Sequence, residues 1–244
     1  MDVLQSGLFS DFTWSHSHVF AGGTSQVFLL IEWRAGVLKQ KKKSHGGFNQ
    51  PMAEDVQLHL QLGENVQVGH MYGCHGEILN DRNISLSLGS LSEGRTKQLV
   101  LELSVGARQS GVYPIITALW TYMEVQKQQV VLQPSRTIPL QFSNHTALKY
   151  RRADDRVENV LKLYQNASIL EQARRELERG KLARGEEMIR RQADEMLLYA
   201  IRFRDADYLR EAETLYQLIG LYLDTYRQLS SENANRKRDF RLKE

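Results

Sequence analysis

The chain contains a single cysteine, Cys74, so it cannot form an internal disulfide framework. It has no apolar run near the roughly 18 residues that a membrane span requires, and we expect no transmembrane helix. The net charge is only +3, and so small an excess does not predict a nucleic-acid partner. Residues 1–30 lack a basic start and an unbroken apolar core. We therefore expect no signal peptide and a cytoplasmic protein.

Proline and glycine are scarce in the second part of the chain. Only three of the 17 glycines, and none of the four prolines, lie after residue 150. Charged residues show the opposite trend, with 12 basic and 11 acidic residues before Tyr150 and 20 and 18 from Tyr150 onward. This change predicts a β-rich domain at residues 1–149, a helical domain at 150–230 and a flexible basic tail at 231–244.

Alternating apolar and polar residues predict about eight short strands in the first domain. The clearest are Ile84–Leu88 and Leu99–Val105, which flank Gly89–Gly94 and predict an antiparallel hairpin. The apolar run Val27–Ile31 predicts a buried strand, and residues 36–53 are interpreted as a linker. The remaining strands are expected at Val56–Leu62, Val66–Val68, Gly111–Tyr122, Gln129–Leu132 and Thr137–Phe142, with Pro139 at an edge or a bulge. Many short strands with frequent turn signals favour an antiparallel β-sandwich.

After Tyr150 the apolar residues recur with the helical period of 3.6. The first helix is expected to begin at Asp155, which forms a capping-box pattern with Glu158, and to end before Gly180. A second helix is expected at about 183–203, and Asp205 is a candidate N-cap for a third. The predicted fold class is therefore α+β with segregated parts, an antiparallel β-sandwich followed by a three-helix C-terminal bundle.

Two stretches of the β-rich part carry a resemblance to a known family. They are Leu86–Gly94 followed by Lys97–Leu103, and Ala21–Glu32. With the helices at 153–229, they resemble the bacterial von Willebrand factor A (VWA) domain proteins often labelled Ca-activated chloride channel homologues. The resemblance implies that the A domain would be inserted at 36–53, where about twenty residues lie instead. It implies an accessory β-sandwich and helical region with the A domain itself missing.

The sequence contains no recognisable catalytic motif. A VWA metal site begins with Asp-x-Ser-x-Ser directly after a buried strand, whereas Asp11–Ser15 precedes the strand Val27–Ile31 and is interpreted as a solvated turn. His70, Cys74 and His75 are close in sequence, but a structural zinc site needs about four regularly spaced ligands. We therefore expect no metal, no cofactor and no enzymatic activity.

The predicted third helix is rich in tyrosine. Some of these side chains should belong to the core, and exposed ones would contact a protein partner. The candidate partner-contact residues are Tyr208, Tyr216, Tyr222 and Tyr226.

We predict a non-catalytic protein–protein interaction scaffold, the accessory region of a VWA-type protein. Two alternatives stay open, an enzyme with a site that is not recognisable from sequence and a surface or adhesion β-sandwich module. A cleft with two or more strongly shifted pKa values would favour an enzyme. An exposed apolar or aromatic helix face would favour the scaffold.

Overall fold

The computed structural model describes residues 6–37, 51–74, 76–150 and 152–241. The strands in this part of the chain are β1 (Ser6–Trp14), β2 (His18–Phe20), β3 (Ser25–Val37), β4 (Pro51–Leu62), β5 (Val66–Tyr72), β6 (Gly76–Asn80), β7 (Asn83–Ser92), β8 (Thr96–Val105), β9 (Gly111–Glu124), β10 (Gln129–Leu132) and β11 (Arg136–Ser143). A short 3₁₀ helix, Thr146–Tyr150, precedes α1 (Asp155–Glu178), α2 (Leu182–Phe203) and α3 (Ala206–Arg241). The predicted fold class, a mostly antiparallel β part followed by three helices, is confirmed.

The strands form two sheets that enclose one apolar core. The first sheet has four strands in the order β1-β3-β8-β5. The second has seven, in the order β2-β11-β9-β4-β7-β6, with β10 paired to β9. All neighbours are antiparallel except β2 and β11. Leu29 and Leu101 of the first sheet and Leu58 and Leu86 of the second are 0% exposed and belong to the same core.

The predicted hairpin between Ile84–Leu88 and Leu99–Val105 is wrong, although both strands exist. β7 pairs with β4 and β6, whereas β8 pairs with β3 and β5 in the other sheet. A tight turn joins them, with the Arg95 N–H donating to the Ser92 carbonyl at 3.2 Å and Gly94 at φ +69°. A period of two identifies the buried face of each strand but not its pairing partner. The chain therefore passes from the seven-stranded sheet to the four-stranded sheet between β7 and β8.

The predicted buried strand Val27–Ile31 is confirmed and lies within the longer β3. It pairs with β8 and shares one core with β4 in the opposite sheet. The linker prediction for 36–53 is wrong at both ends, because β3 continues to Val37 and β4 begins at Pro51. The central part, 38–50, lies outside the described residues. Ala35 bridges Glu93 while Pro51 pairs with Ser92, so the two ends that flank 38–50 lie next to each other.

Three strands were not expected from the sequence. Asp11–Ser15, interpreted as a solvated turn, lies mostly in β1, which ends at Trp14, and Ser15 is 2% exposed. β2 has only three residues, and β6 lies between the predicted strands Val66–Val68 and Ile84–Leu88. The prediction for Pro139 is confirmed, because the β11–β9 register shifts between Ile138 and Pro139. Short strands with few core residues leave only a weak alternating signal.

The helical prediction is accurate for most helix ends. Gly180 takes φ +74° after α1, and its N–H donates to the Leu177 carbonyl at 2.8 Å, as in a left-handed C-cap. Asp205 caps α3, since its Oδ1 accepts the Asp207 N–H at 2.8 Å. The cap of α1 is Asp154, one residue before the predicted Asp155.

The sequence predicts a flexible tail at 231–244, but α3 continues to Arg241. Residues 230–241 contain neither glycine nor proline and include Ala, Glu, Lys and Arg, which favour a helix. Residues 242–244 lie outside the described residues. The structure divides into two compact units, Met1–Lys162 and Leu163–Glu244. The sequence-based domain boundary at residue 150 stays a prediction.

Leu101→Asp should unfold the sandwich. Leu101 is 0% exposed between the two sheets, so its replacement by a charge costs at least about 4 kcal/mol of unfolding free energy. Urea denaturation followed by circular dichroism measures this cost.

The control is Glu102→Gln on the opposite face of β8. Neighbours on a strand point to opposite faces, so a core-facing Leu101 predicts a solvent-facing Glu102. The Glu102 side chain is instead half-buried and accepts hydrogen bonds from Gln26 Nε2 at 2.5 Å and the Tyr72 hydroxyl at 3.1 Å. Glutamine retains one acceptor oxygen, so the loss should stay within about 1.5 kcal/mol. Equal losses for the two variants would show that the assignment of the two faces is wrong.

Candidate functional site

An arginine and two carboxylates meet on the outer face of the four-stranded sheet. Asp11 in β1 and Glu32 in β3 are cross-strand partners in register. Arg156, in the first turn of α1, forms an ion pair with Glu32 through Nη2, and its Nη1 lies 3.8 Å from Asp11 Oδ2. The Glu32 side chain is 11% exposed and that of Arg156 is 57% exposed. Arg156 therefore supplies the counter-charge for an acidic side chain that the fold buries.

Hydrogen bonds through Ser15 connect the start of α1 to the four-stranded sheet. The Asp154 N–H donates to the Ser15 carbonyl at 2.7 Å, and Ser15 Oγ accepts the Phe28 N–H at 2.9 Å. A cavity of about 360 Å³ lies beside the ion pair of Arg156 with Glu32. Its lining includes Phe9, Asp11, Glu32, Arg34, Thr96 and Arg156. Both carboxylates face the same guanidinium, and this arrangement anchors the helix start to the sheet.

The four predicted partner-contact tyrosines fall into different environments. Tyr208 is 5% exposed with its ring 5.6 Å from that of Tyr199, and Tyr222 is 9% exposed. The Tyr222 hydroxyl donates to the Ala173 carbonyl at 3.1 Å, and burial is the main factor that raises the pKa of this phenol. These two side chains pack inside the helical unit.

Tyr216 is more accessible than Tyr208 and Tyr222. Its hydroxyl donates a hydrogen bond to Asp194 Oδ1, which raises the pKa of the phenol. The side chain of Tyr226 lies outside the described part of the structure. A role for these four tyrosines in partner contact stays a prediction.

A buried polar chain links the three helices of the second unit. Gln192 Nε2 in α2 donates to Asn166 Oδ1 in α1 at 2.7 Å, and Asn166 Nδ2 donates to Glu211 Oε1 in α3 at 2.7 Å. Asn166 and Gln192 are 3% and 4% exposed. Buried polar groups that satisfy one another favour a single register over alternatives that leave them unpaired. The sequence pattern did not reveal these hydrogen-bonded side chains.

Large apolar side chains remain exposed on the helical unit. Leu198 and Ile201, here named the α2 apolar pair, are 67% and 68% exposed. Their spacing of three makes them neighbours on the helix surface. The buried apolar residues of α2 are Ile189, Ala193, Met196 and Ala200, so the pair lies off the core stripe. The prediction of a helix at about 183–203 did not single out this pair.

The candidate metal and thiol residues do not assemble into a site in the described part of the chain. No group of three or more His, Cys, Asp or Glu side chains there could hold a metal ion. Desolvation raises the pKa of the Cys74 thiol to about 11, so the thiol is protonated at neutral pH. His75 lies outside the described residues. Within those residues, no helix combines the length and apolar character that crossing a bilayer needs.

The fold is similar to that of solved VWA structures. No protein family and no curated protein matches the sequence. A von Willebrand factor type A structure from Catenulispora acidiphila aligns with a TM-score of 0.50 at 12% identity, over 68% of this chain and 39% of that chain. The ArnB paralog VWA2 from Sulfolobus acidocaldarius aligns with a TM-score of 0.51 at 6% identity, over 84% of this chain and 93% of that chain. This chain thus matches less than half the length of the Catenulispora protein, and the likeness concerns the fold.

Arg156→Ala should destabilise the β-sandwich unit by about 1–3 kcal/mol, because it leaves the buried Glu32 carboxylate without its charged partner. Thermal and urea unfolding of the variant measure this loss. Glu32→Gln should recover part of it in the double variant, with a coupling energy of about 1 kcal/mol.

The matched control is Arg152→Ala. Arg152 pairs with Asp155 four residues before Arg156, but the two side chains are 42% and 66% exposed. Such a surface pair contributes about 0–1 kcal/mol. An equal loss for the two arginine variants would contradict a special role for the Glu32 ion pair.

Proposed function

We propose that this chain is a non-catalytic protein–protein interaction scaffold. The observation that carries the proposal is the α2 apolar pair, two large aliphatic side chains about two-thirds exposed and one helical turn apart. Leu209, just after the turn between α2 and α3, is also 42% exposed. Neighbouring exposed aliphatic residues are characteristic of surfaces that another protein covers. The partner surface is assigned to this part of the helical unit.

The scaffold is proposed to be the accessory region of a VWA-type protein related to the Ca-activated chloride channel homologues. The similarity of the fold to the two solved VWA structures supports this assignment. The adjacent ends of β3 and β4 also support it, because a domain inserts most easily where the two chain ends of its host are close together. The family's A domain would be inserted between these ends.

The proposal is tested by affinity capture from the source cells with three forms of the chain. They are the unchanged protein, the double variant Leu198→Ser/Ile201→Ser and the control Arg191→Ser, which alters an exposed residue of the same helix. The expected result is a specific protein that is captured by the unchanged chain and by the control but lost with the double variant. Replacing exposed side chains should leave the circular dichroism melting temperatures within a few degrees of each other.

Two results would contradict the proposal. One is capture of the same proteins in the same amounts by all three forms, which would show that the α2 apolar pair is not a binding surface. The other is a complete absence of specific capture by the unchanged chain.

A further inference from the structure

The two sheets of the sandwich have unequal widths, and in the described part of the chain one margin of the wider sheet keeps an exposed core-facing side chain. β5 is the last strand of the four-stranded sheet and β6 is the last strand of the seven-stranded sheet. Both line the same cavity, so the two edges face each other at one side of the sandwich. This side is named the β5–β6 margin. β5 ends at Tyr72 and β6 begins at Gly76, so the two edge strands follow each other in the chain.

Ile78 in β6 shows that the inner face is incomplete at this margin. Ile78 is the register partner of Ile84 in β7, and directly opposite residues of an antiparallel pair point to the same face. Ile84 is 2% exposed and belongs to the core, whereas Ile78 is 61% exposed. Ile78 thus lies on the core side of its sheet, but among the described residues no strand of the opposite sheet covers it.

Val68 in β5 shows the same incomplete cover of the core at the β5–β6 margin. Val68 is the register partner of Leu103, which is 0% exposed in the core, yet Val68 is only partly buried. Within the described residues β5 pairs with β8 alone, so Val66 and Val68 have no strand on their other side. The β5–β8 register shifts between Val68 and His70. This bulge limits regular pairing at the outer edge to the first part of β5.

A cavity of about 400 Å³ opens at that first part of β5. Its lining includes Leu62, Val66, Val68, Ile78, Ile84 and Arg82. The floor is aliphatic, while Arg82 and the neighbouring Asp81 belong to the short β6–β7 connection. An open strand edge beside an aliphatic pocket combines the two elements by which a protein recognises an extended peptide. The backbone edge supplies hydrogen bonds, and the pocket takes every second side chain.

We propose that the β5–β6 margin is a β-augmentation site, where an extended segment of a partner protein adds to the four-stranded sheet beside β5 and places an aliphatic side chain on Val68 and Ile78. The added strand completes the narrower sheet and covers the exposed inner face of β6. This inference rests on the proposed role of the chain in protein–protein interaction. It assigns a second surface, separate from the α2 apolar pair.

The probe is a fluorescein-labelled peptide of alternating charged residues and valine, Lys-Val-Glu-Val-Lys-Val-Glu-Val. The control peptide has the same side chains but carries N-methyl groups on all backbone nitrogens, which removes its N–H donors. Fluorescence anisotropy measures binding to the full chain, and amide hydrogen exchange by NMR locates it. The expected result is saturable binding of the first peptide with slowed exchange at Val66–Val68, and at least tenfold weaker binding of the control.

Two protein variants test the pocket. Ile78→Asp places a charge on the aliphatic floor and should weaken binding at least tenfold. Val112→Asp is the matched control, because Val112 in β9 of the same sheet is 64% exposed against 61% for Ile78. It should bind the peptide like the unchanged protein. If Ile78→Asp does not fold, the exchange protection at Val66–Val68 in the unchanged protein decides the question.

Several results would overturn the inference. They are equal binding of the two peptides, unchanged binding by Ile78→Asp, and no saturable binding at millimolar peptide. Slow hydrogen exchange of β5 amides in a dimer without peptide would also overturn the inference, because it would assign the margin to a second copy of the chain. Failure of peptide binding with retained capture through the α2 apolar pair refutes only the margin. Loss of that capture with intact peptide binding refutes only the proposed helical surface.

Discussion

The structure of the sandwich depends on the burial of β3 and β8 at the centre of the narrower sheet. Leu29 pairs with Leu101 and both face the core. Leu30 pairs with Val100 on the opposite face, and these side chains are also 0% exposed. Fully burying each such aliphatic side chain contributes about 1.5–3 kcal/mol. A central pair buried on both faces explains why the chain crosses between sheets after β7, since β8 must reach a place next to β3.

The unequal widths of the two sheets determine which core-facing positions stay exposed. A four-stranded sheet opposite a seven-stranded one cannot cover all of its inner face, so core-facing positions of the outer strands meet solvent. The start of α1 is held against the outer face of the narrow sheet by the Arg156–Glu32 ion pair and by the Asp154–Ser15 backbone bond.

Much of the fold could be predicted from the sequence, because a strand or helix with one buried face has a periodic pattern of apolar residues. Period two located β4, β7 and β8, and period 3.6 with Gly180 and Asp205 located the helices and two of their ends. Strand pairing could not be predicted in this way, since β7 and β8 show the same alternation whether they pair in one sheet or face each other across the core.

The candidate site was less predictable than the fold. Glu32 is 9% exposed, and charged residues are rarely so buried unless they are paired. Its partner Arg156 lies more than a hundred positions away in the sequence, so nothing near Glu32 indicated the ion pair. The α2 apolar pair was predictable in principle, because Leu198 and Ile201 interrupt the polar face of a clearly amphipathic helix. The exposure of Ile78 depends on the width of the opposite sheet, a tertiary property with no local signal.

The central claim is that consecutive strands β7 and β8 belong to different sheets. Cross-strand nuclear Overhauser effects between backbone protons of the isotope-labelled protein test it most directly. The structure predicts such contacts between Leu29 and Leu101 and between Leu58 and Leu86, which are register partners. A ladder of backbone contacts between Leu88 and Leu99 and their neighbours would show a β7–β8 hairpin and contradict the account.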